Sequence, residues 1–183
     1  MGDEPRVLVA GVGNMFLGDD GFGPEVARRL ATRPLPAGVR VVDYGIRGIH
    51  LAYDLLAGVD LLVLVDALAR GTAPGTVSLL QVGDDGDGDG GAPGAPAGAG
   101  VALDSHAMDP ATVFASLRRL GGTRPPTVVV GCEPADVTER MGLSPLVAAA
   151  VDATVEQIVC LLRDPDALTG AVPAAATEGA HHA

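Results

Sequence analysis

Three residues that lie far apart in the chain have side chains able to bind a metal ion or transfer a proton. Asp66 directly follows the aliphatic run 61–65, so its carboxylate is expected at the end of a buried strand. Asp20 follows the glycine-rich segment behind the first apolar run, and His106 lies in a polar segment ahead of the third helical pattern. Two carboxylates and one imidazole form a mixed oxygen and nitrogen set that suits zinc, nickel or another borderline divalent cation.

Each of these residues also has a purely structural explanation. Asp66 could act as a buried partner of a helix cap, and His106 could form only local hydrogen bonds. Asp19 and Asp20 could both belong to the start of the first helix, where the helix dipole favours carboxylates. Helix capping explains only one of these two adjacent acids, so the other is available to bind a metal ion or transfer a proton. Two further candidates are assigned structural roles: His50 on an exposed helix face, and Cys132 as a small buried hydrophobic residue.

The segments that must position these residues alternate between strands and helices. Continuous apolar runs, typical of strands that are covered on both faces, occur at 6–12, 39–44, 59–66, 76–82 and 127–132. Helical patterns occur at 20–31, 48–57, 110–120 and 145–163, with proline at the first position of the last two. This alternation predicts a three-layer α/β/α domain. Ligand sites in such sheets lie outside the carboxyl ends of the strands, where we expect Asp20, Asp66 and His106 to converge.

One connection departs from the parallel pattern. Only residues 67–75 join the third and fourth strands, whereas a parallel crossover needs a dozen or more residues. We therefore expect the fourth strand to be antiparallel to its neighbour, in a twisted, mixed and mostly parallel five-stranded sheet.

Low-complexity segments bound the predicted domain. Residues 83–100 consist entirely of Gly, Asp, Pro and Ala, which bury too little apolar area to offset the entropy of ordering them. We expect a single catalytic domain over 1–163, with 83–100 as a flexible insertion and 164–183 as a disordered C-terminal tail.

Charge and composition exclude several classes of partner. The formal net charge is −11, so nucleic acids and anionic membranes should be repelled. The acidic first residues and the glycines behind them are not typical of a signal peptide, and we expect no transmembrane segment. The two cysteines lack the spacing of a disulfide framework or a CxxC motif. These features predict a cytoplasmic protein.

The glycines that follow the first strand resemble part of a dinucleotide fingerprint. Gly11 and Gly13 have the required spacing, and Asp43 ends the next strand, but Phe16 replaces the third glycine. A bulky residue there should block the close approach of helix and strand, and the acids near the helix start should repel phosphate. A dinucleotide-binding oxidoreductase is therefore a disfavoured alternative.

A series of motifs in the same order resembles the maturation endopeptidases of nickel–iron hydrogenases. The resemblance covers about residues 6–163. The motifs are G-x-G-N-x-x-x-x-D-[DE]-x-x-G at 11–23, Asp66-Ala67 after an apolar strand, Ser105-His106, Gly131-x-x-Pro134 and Gly142-Leu-Ser-Pro145.

This resemblance implies specific roles for the candidate residues. Asp20, where relatives often have Glu, would contact metal and take part in catalysis together with Asp66 and His106. Substrate recognition would involve Asp43, Gly45 and Gly48, in a turn where relatives often have Asp-Gly-Gly-Thr. The implied fold is a mixed sheet between helices, of the phosphorylase/hydrolase-like type.

The resemblance also implies a reaction and a partner. The implied activity is that of an aspartic-type endopeptidase, which removes the C-terminal extension of a nickel–iron hydrogenase large subunit after nickel insertion. Nickel would be carried by the large-subunit precursor and contacted by the protease, which we expect to be monomeric. The alternative from another class is a non-proteolytic, metal-sensing maturation factor for the same subunit.

Overall fold

The computed structural model describes residues 5–82 and 110–163 of the chain. The strands in these ranges are β1 (Val7–Val12), β2 (Val39–Gly45), β3 (Leu61–Ala67), β4 (Val77–Val82) and β5 (Thr127–Cys132). The α-helices are α1 (Phe22–Leu30), α2 (Gly48–Leu56), α3 (Pro110–Arg119) and α4 (Pro145–Leu162), and a 3₁₀ turn at Gly18–Gly21 precedes α1. The segments 83–100 and 164–183, for which flexibility and disorder were predicted, lie outside the described residues.

The strands form one mixed sheet in the order β2-β1-β3-β5-β4. The first four strands of this order are parallel, and β4 is antiparallel to β5, with Val77 opposite Cys132 and Val82 opposite Thr127. This arrangement confirms the mixed, mostly parallel α/β fold and the reversed fourth strand. The carboxyl ends of β1, β2, β3 and β5 consequently share one edge of the sheet, called the carboxyl edge below.

Among the element boundaries that differ from the sequence prediction, the start of α1 and the end of β3 concern the site. The first helix does not begin at Asp20, because residues 18–21 form the 3₁₀ turn and α1 begins at Phe22. Strand β3 begins at Leu61 rather than residue 59, since Asp60 is held outside the strand by hydrogen bonds to Arg6. The strand also continues through Asp66 to Ala67.

Alternate residues of the strands supply two hydrophobic cores, one on each face of the sheet. On one face, Val9 and Val63 pack with Phe22 of α1 and Ile158 of α4. On the other face, Leu62 and Leu64 pack with residues of α2 and α3, among them Leu51, Leu55, Phe114 and Leu117. Burial on both faces explains why these strands are continuously apolar in the sequence.

Helix α4 is the one helix of the described residues that is long and apolar enough to span a membrane. Its buried residues, which include Val151, Val155 and Ile158, belong to the first core. Core packing therefore accounts for its composition, and the prediction of no membrane segment is not contradicted by α4.

The start of α1 lies unusually close to the ends of β1 and β3. A Cβ atom at Gly23 would lie 2.2 Å from the carbonyl oxygen of Val12 and 2.2 Å from that of Val65. The prediction that Phe16 blocks a close approach of helix and strand was wrong, because Phe16 points outward and is 62% exposed. Gly23 provides the close approach at a different position.

Replacement of Gly23 by Ala should destabilise the fold strongly, although alanine normally favours helices. The added methyl group would overlap two backbone carbonyls that cannot move without separating strands, so we expect a loss of about 3 kcal/mol. Thermal and urea unfolding would measure it. Gly121→Ala is the control, because its methyl group meets nothing within 4 Å and only its positive φ of 85° is strained, which costs about 1–2 kcal/mol. An equal loss in the two variants would contradict the packing argument.

Candidate active site

The loop after β1 folds back tightly on itself. Gly13 has a φ of 128°, and a Cβ atom there would lie 1.9 Å from the carbonyl oxygen of Asp20. Its amide also donates a 3.0 Å hydrogen bond to the carbonyl of Gly45 at the end of β2. Only glycine fits this position. The backbone of Asp20 thus fills the space beside Gly13 where a dinucleotide fingerprint would need room for phosphates.

Asp20 lies in the 3₁₀ turn and is 6% exposed. One carboxylate oxygen accepts a 2.5 Å hydrogen bond from the amide of Asn14. The turn contacts β3, the strand that carries Asp66. The tight loop therefore holds Asp20 at the carboxyl edge, beside the end of the central strand.

Asp66 is partly buried near the end of β3, where it lies opposite Gly131 of β5. Its Oδ1 atom accepts a 2.8 Å hydrogen bond from the amide of Ala67. Asp20 and Asp66 thus lie at the same edge, on segments that follow or end neighbouring strands. His106, the third predicted ligand, lies outside the described residues. Within 5–82 and 110–163, no group of three His, Cys, Asp or Glu side chains is arranged to hold a metal, so the three-residue set stays a prediction.

Asp19, the acid next to Asp20, has a structural role that differs from helix capping. Its side chain is completely buried and accepts hydrogen bonds from the amides of Ala135, Asp136 and Ser144 and from the Ser144 hydroxyl. Burial acts to raise the pKa of Asp19, but these four hydrogen bonds outweigh it and the pKa is lowered. Ser144 precedes α4 as predicted, but its hydroxyl binds Asp19 and makes no capping bond to the helix.

A second structural carboxylate, Glu133, was not anticipated from the sequence. It follows β5, is 8% exposed, and accepts hydrogen bonds from the amides of Arg70, Gly71 and Thr72 and from the Thr72 hydroxyl. Burial acts against ionisation, but the hydrogen bonds lower the pKa of Glu133 overall. Glu133 therefore fixes the loop that leaves Asp66. Its only signal in the sequence is an acid directly after a buried strand.

Cys132 is fully buried between these acids. Burial, together with the charges of Asp19 and Glu133, raises the pKa of its thiol to about 11. The thiol is therefore protonated at neutral pH and is not a nucleophile. The prediction that Cys132 is a small buried hydrophobic residue is confirmed.

The predicted recognition turn lies beside the glycine loop. Asp43 is exposed within β2, and its carbonyl accepts a hydrogen bond from the guanidinium of Arg47. Gly45 has a φ of 53° and lies against Gly13, while Gly48 is buried at the start of α2. His50 is exposed on α2, as predicted. The turn is thus placed next to Asp20, although no contact assigns it a substrate.

The two anchoring carboxylates predict a loss of stability in acid. Because their pKa values are lowered in the folded protein, their full contribution is present above the ordinary carboxyl pKa of about 4 and is lost as the pH falls through the lowered values. Urea unfolding measured from pH 7 to pH 3 should therefore show a steep decrease below about pH 4.

Variants that remove either charge should separate this effect from general acid unfolding. Asp19→Asn and Glu133→Gln should each cost about 3 kcal/mol at pH 7, because buried amide donors lose a charged acceptor, and each should reduce the steepness of the acid decrease. Asp60→Asn is the control: its pKa is also lowered, but it is an exposed partner of Arg6 and should have little effect. An acid profile unchanged by both buried substitutions would contradict the assignment.

Comparison with known proteins agrees with this architecture. The family model of hydrogenase maturation proteases matches residues 24–160. The chain is 33% identical over 161 residues to the hydrogenase expression/formation protein HupD of Rhodobacter capsulatus, covering 86% of this chain and 71% of that protein. It is 31% identical to the hydrogenase 2 maturation protease of Escherichia coli, covering 87% of this chain and 92% of that protein.

Solved structures with a similar fold are also named as hydrogenase maturation peptidases. The hydrogenase maturating endopeptidase HybD from E. coli superposes with a TM-score of 0.69 at 28% identity, covering 87% of this chain and 93% of its own. A hydrogenase 2 maturation peptidase from a Thaumarchaeota archaeon gives a TM-score of 0.63 at 28% identity, with 86% and 98% covered. The match of sequence over most of the domain, with the same fold, shows that the chain belongs to the hydrogenase maturation protease family and is a peptidase.

Proposed function

We propose that this peptidase removes the C-terminal extension of a nickel–iron hydrogenase large-subunit precursor after nickel has been inserted. The observation that carries the proposal is the placement of Asp20 and Asp66 at one edge of the sheet, in a chain of the hydrogenase maturation protease family. The partner is the precursor itself, and the protease acts on it as a monomer in the cytoplasm.

The donor chemistry of the site supports a nickel-dependent recognition step. Asp20 and Asp66 offer carboxylate oxygens, and His106 would add an imidazole nitrogen. Such a set is harder than a thiolate site and binds a borderline metal more weakly. Nickel that is held by the substrate would therefore stay with the substrate while the protease contacts its open positions. The metal then acts as the signal that the precursor is ready for cleavage.

Hydrolysis requires that a proton leave the attacking water. A carboxylate within hydrogen-bond reach of that water can accept the proton, and Asp66 and Asp20 are the described residues at this edge that we assign to the role. The buried surroundings of Asp20 exclude bulk water from one side of the site. Asp19 and Glu133 are excluded as bases, because their pKa values are lowered and their oxygens are occupied by amide donors.

The central test compares nickel-loaded and nickel-free precursor. The purified protein should shorten only the loaded precursor, seen as a shift on a denaturing gel. Asp66→Asn should slow this cleavage at least about 100-fold, since the amide preserves size but cannot accept the proton or supply a negative charge to nickel. Asp152→Asn, which removes an 80% exposed carboxylate on α4, should cleave normally. Equal cleavage of the two precursors would contradict the proposed recognition of nickel.

Lengthening the acid in the glycine loop tests how rigid the site is. Asp20→Glu keeps the charge but adds a methylene group to a side chain that is 6% exposed, in a turn packed directly against Gly13. Because this backbone cannot readily shift, we expect kcat to fall about tenfold through misplacement of the carboxylate. Steady-state cleavage of the loaded precursor measures the effect, with Glu25→Asp on α1 as a charge-conserving control. A kcat equal to that of the unsubstituted protein would show that the turn adapts.

A further inference from the structure

Large apolar side chains are exposed mainly around the carboxyl edge of the sheet. Six of them lie in the loops after β1 and β5 and at the junction of β2 and α2, with exposed fractions between 45% and 67%. Together they form what we call the apolar rim: Met15, Phe16, Ile46, Ile49, Val137 and Met141. Four other large apolar side chains of the described residues are also exposed. Tyr53 lies on α2 at 55% and Leu146 at the start of α4 at 59%, while Leu56 and Leu120 lie at the far ends of α2 and α3 at 39% and 40%.

Backbone hydrogen bonds join the loops that carry the rim. The amide of Arg140 donates to the carbonyl of Phe16, and the amide of Gly18 donates to the carbonyl of Arg140, both at 3.0 Å. These bonds place the segment that contains Phe16 beside Arg140, the residue before Met141. On the other side of the glycine loop, the bond from Gly13 to Gly45 brings in the turn that carries Ile46. The rim therefore surrounds Asp20 on two sides.

A groove extends the rim between α2 and α3. It has a volume of about 480 Å³, and its walls include Ile46, Ile49 and Val113 together with Arg47 and His50. Single exposed apolar residues are normal, but apolar residues grouped at one functional edge mark an interaction surface.

We propose that the apolar rim binds the folded body of the protein substrate and thereby places its cleavable extension over Asp20 and Asp66. This inference rests on the proposed function. A folded partner fits better than a free tail, because the rim comes from three separate segments on both sides of Asp20. The loops after β1 and β5 are already fixed by backbone hydrogen bonds, so little ordering entropy is lost when the partner binds. The six rim side chains are uncharged, although Arg47, Glu139 and Arg140 are exposed between them, so the contribution of the rim to binding should be similar at low and high salt.

The test separates binding from chemistry by measuring KM and kcat on nickel-loaded precursor. Phe16→Ser combined with Met141→Ser should raise KM about tenfold or more, as expected when central interface residues are truncated. Because both side chains are exposed and the bonds between the loops are made by the backbone, kcat should stay within about twofold and thermal stability should be unchanged. Leu56→Ser combined with Leu120→Ser is the control at the opposite edge and should leave KM unchanged.

Direct binding provides a readout that does not depend on cleavage. In the Asp66→Asn background, affinity for the same loaded precursor should fall by the same factor as KM rises when Phe16 and Met141 are replaced, and this factor should be similar at 50 mM and 500 mM salt. Unchanged affinity and KM, an equal effect of the control pair, or a loss confined to kcat would each overturn the docking surface. Rim-dependent binding without any cleavage by the unsubstituted protein would support the docking surface and overturn the proposed function. Cleavage of the loaded precursor with a KM that the rim substitutions leave unchanged would support the proposed function and overturn the docking surface.

Discussion

The arrangement of the loops at the carboxyl edge depends on the buried carboxylate of Asp19. This side chain receives hydrogen bonds from the amides of Ala135, Asp136 and Ser144, residues that are separated from it by 116 to 125 positions in the sequence. A buried carboxylate that is shielded from water needs hydrogen-bond donors to stay ionised, and the buried amides need the carboxylate as their acceptor. The interaction therefore fixes the turn of Asp20 against the loop that leads from β5 to α4. Loss of the charge would leave several buried amides without a strong acceptor.

Glu133 extends the same principle to the second catalytic candidate. It belongs to the loop that Asp19 holds, and it binds the amides of residues 70–72, which follow Asp66. The segments that carry Asp20 and Asp66 are thus both attached to the loop after β5. Their relative position is set by two buried carboxylates that take no part in the proposed chemistry. Apolar packing brings the strands together, whereas these charged hydrogen bonds determine how the loops at their ends are placed.

The sequence predicted those features of the fold that depend on local apolar patterns and on the lengths of the connections. Continuous apolar runs identified the strands, and the short connection after Asp66 correctly predicted that β4 is antiparallel. The roles of Asp19 and Glu133 could not be predicted, because their amide partners are distant in sequence and backbone donors leave no residue signature. Phe16 was misjudged for a related reason: its side-chain direction depends on the loop closure at Gly13 and on its bond to Arg140. His106 lies outside the described residues, so its role stays a prediction.

Neither cysteine in the described part of the chain is placed to take nickel from the proposed substrate. Cys132 is at the carboxyl edge, but its side chain is completely buried, and burial together with two neighbouring carboxylates raises the pKa of its thiol to about 11. Cys160 lies near the end of α4, which leads away from this edge. Nickel prefers thiolate and imidazole over carboxylate ligands, so the aspartates would contact a substrate-bound metal without extracting it. The carboxylates of Asp20 and Asp66 would attract a cation exposed on the substrate, so recognition of nickel by the protease is compatible with its retention by the substrate.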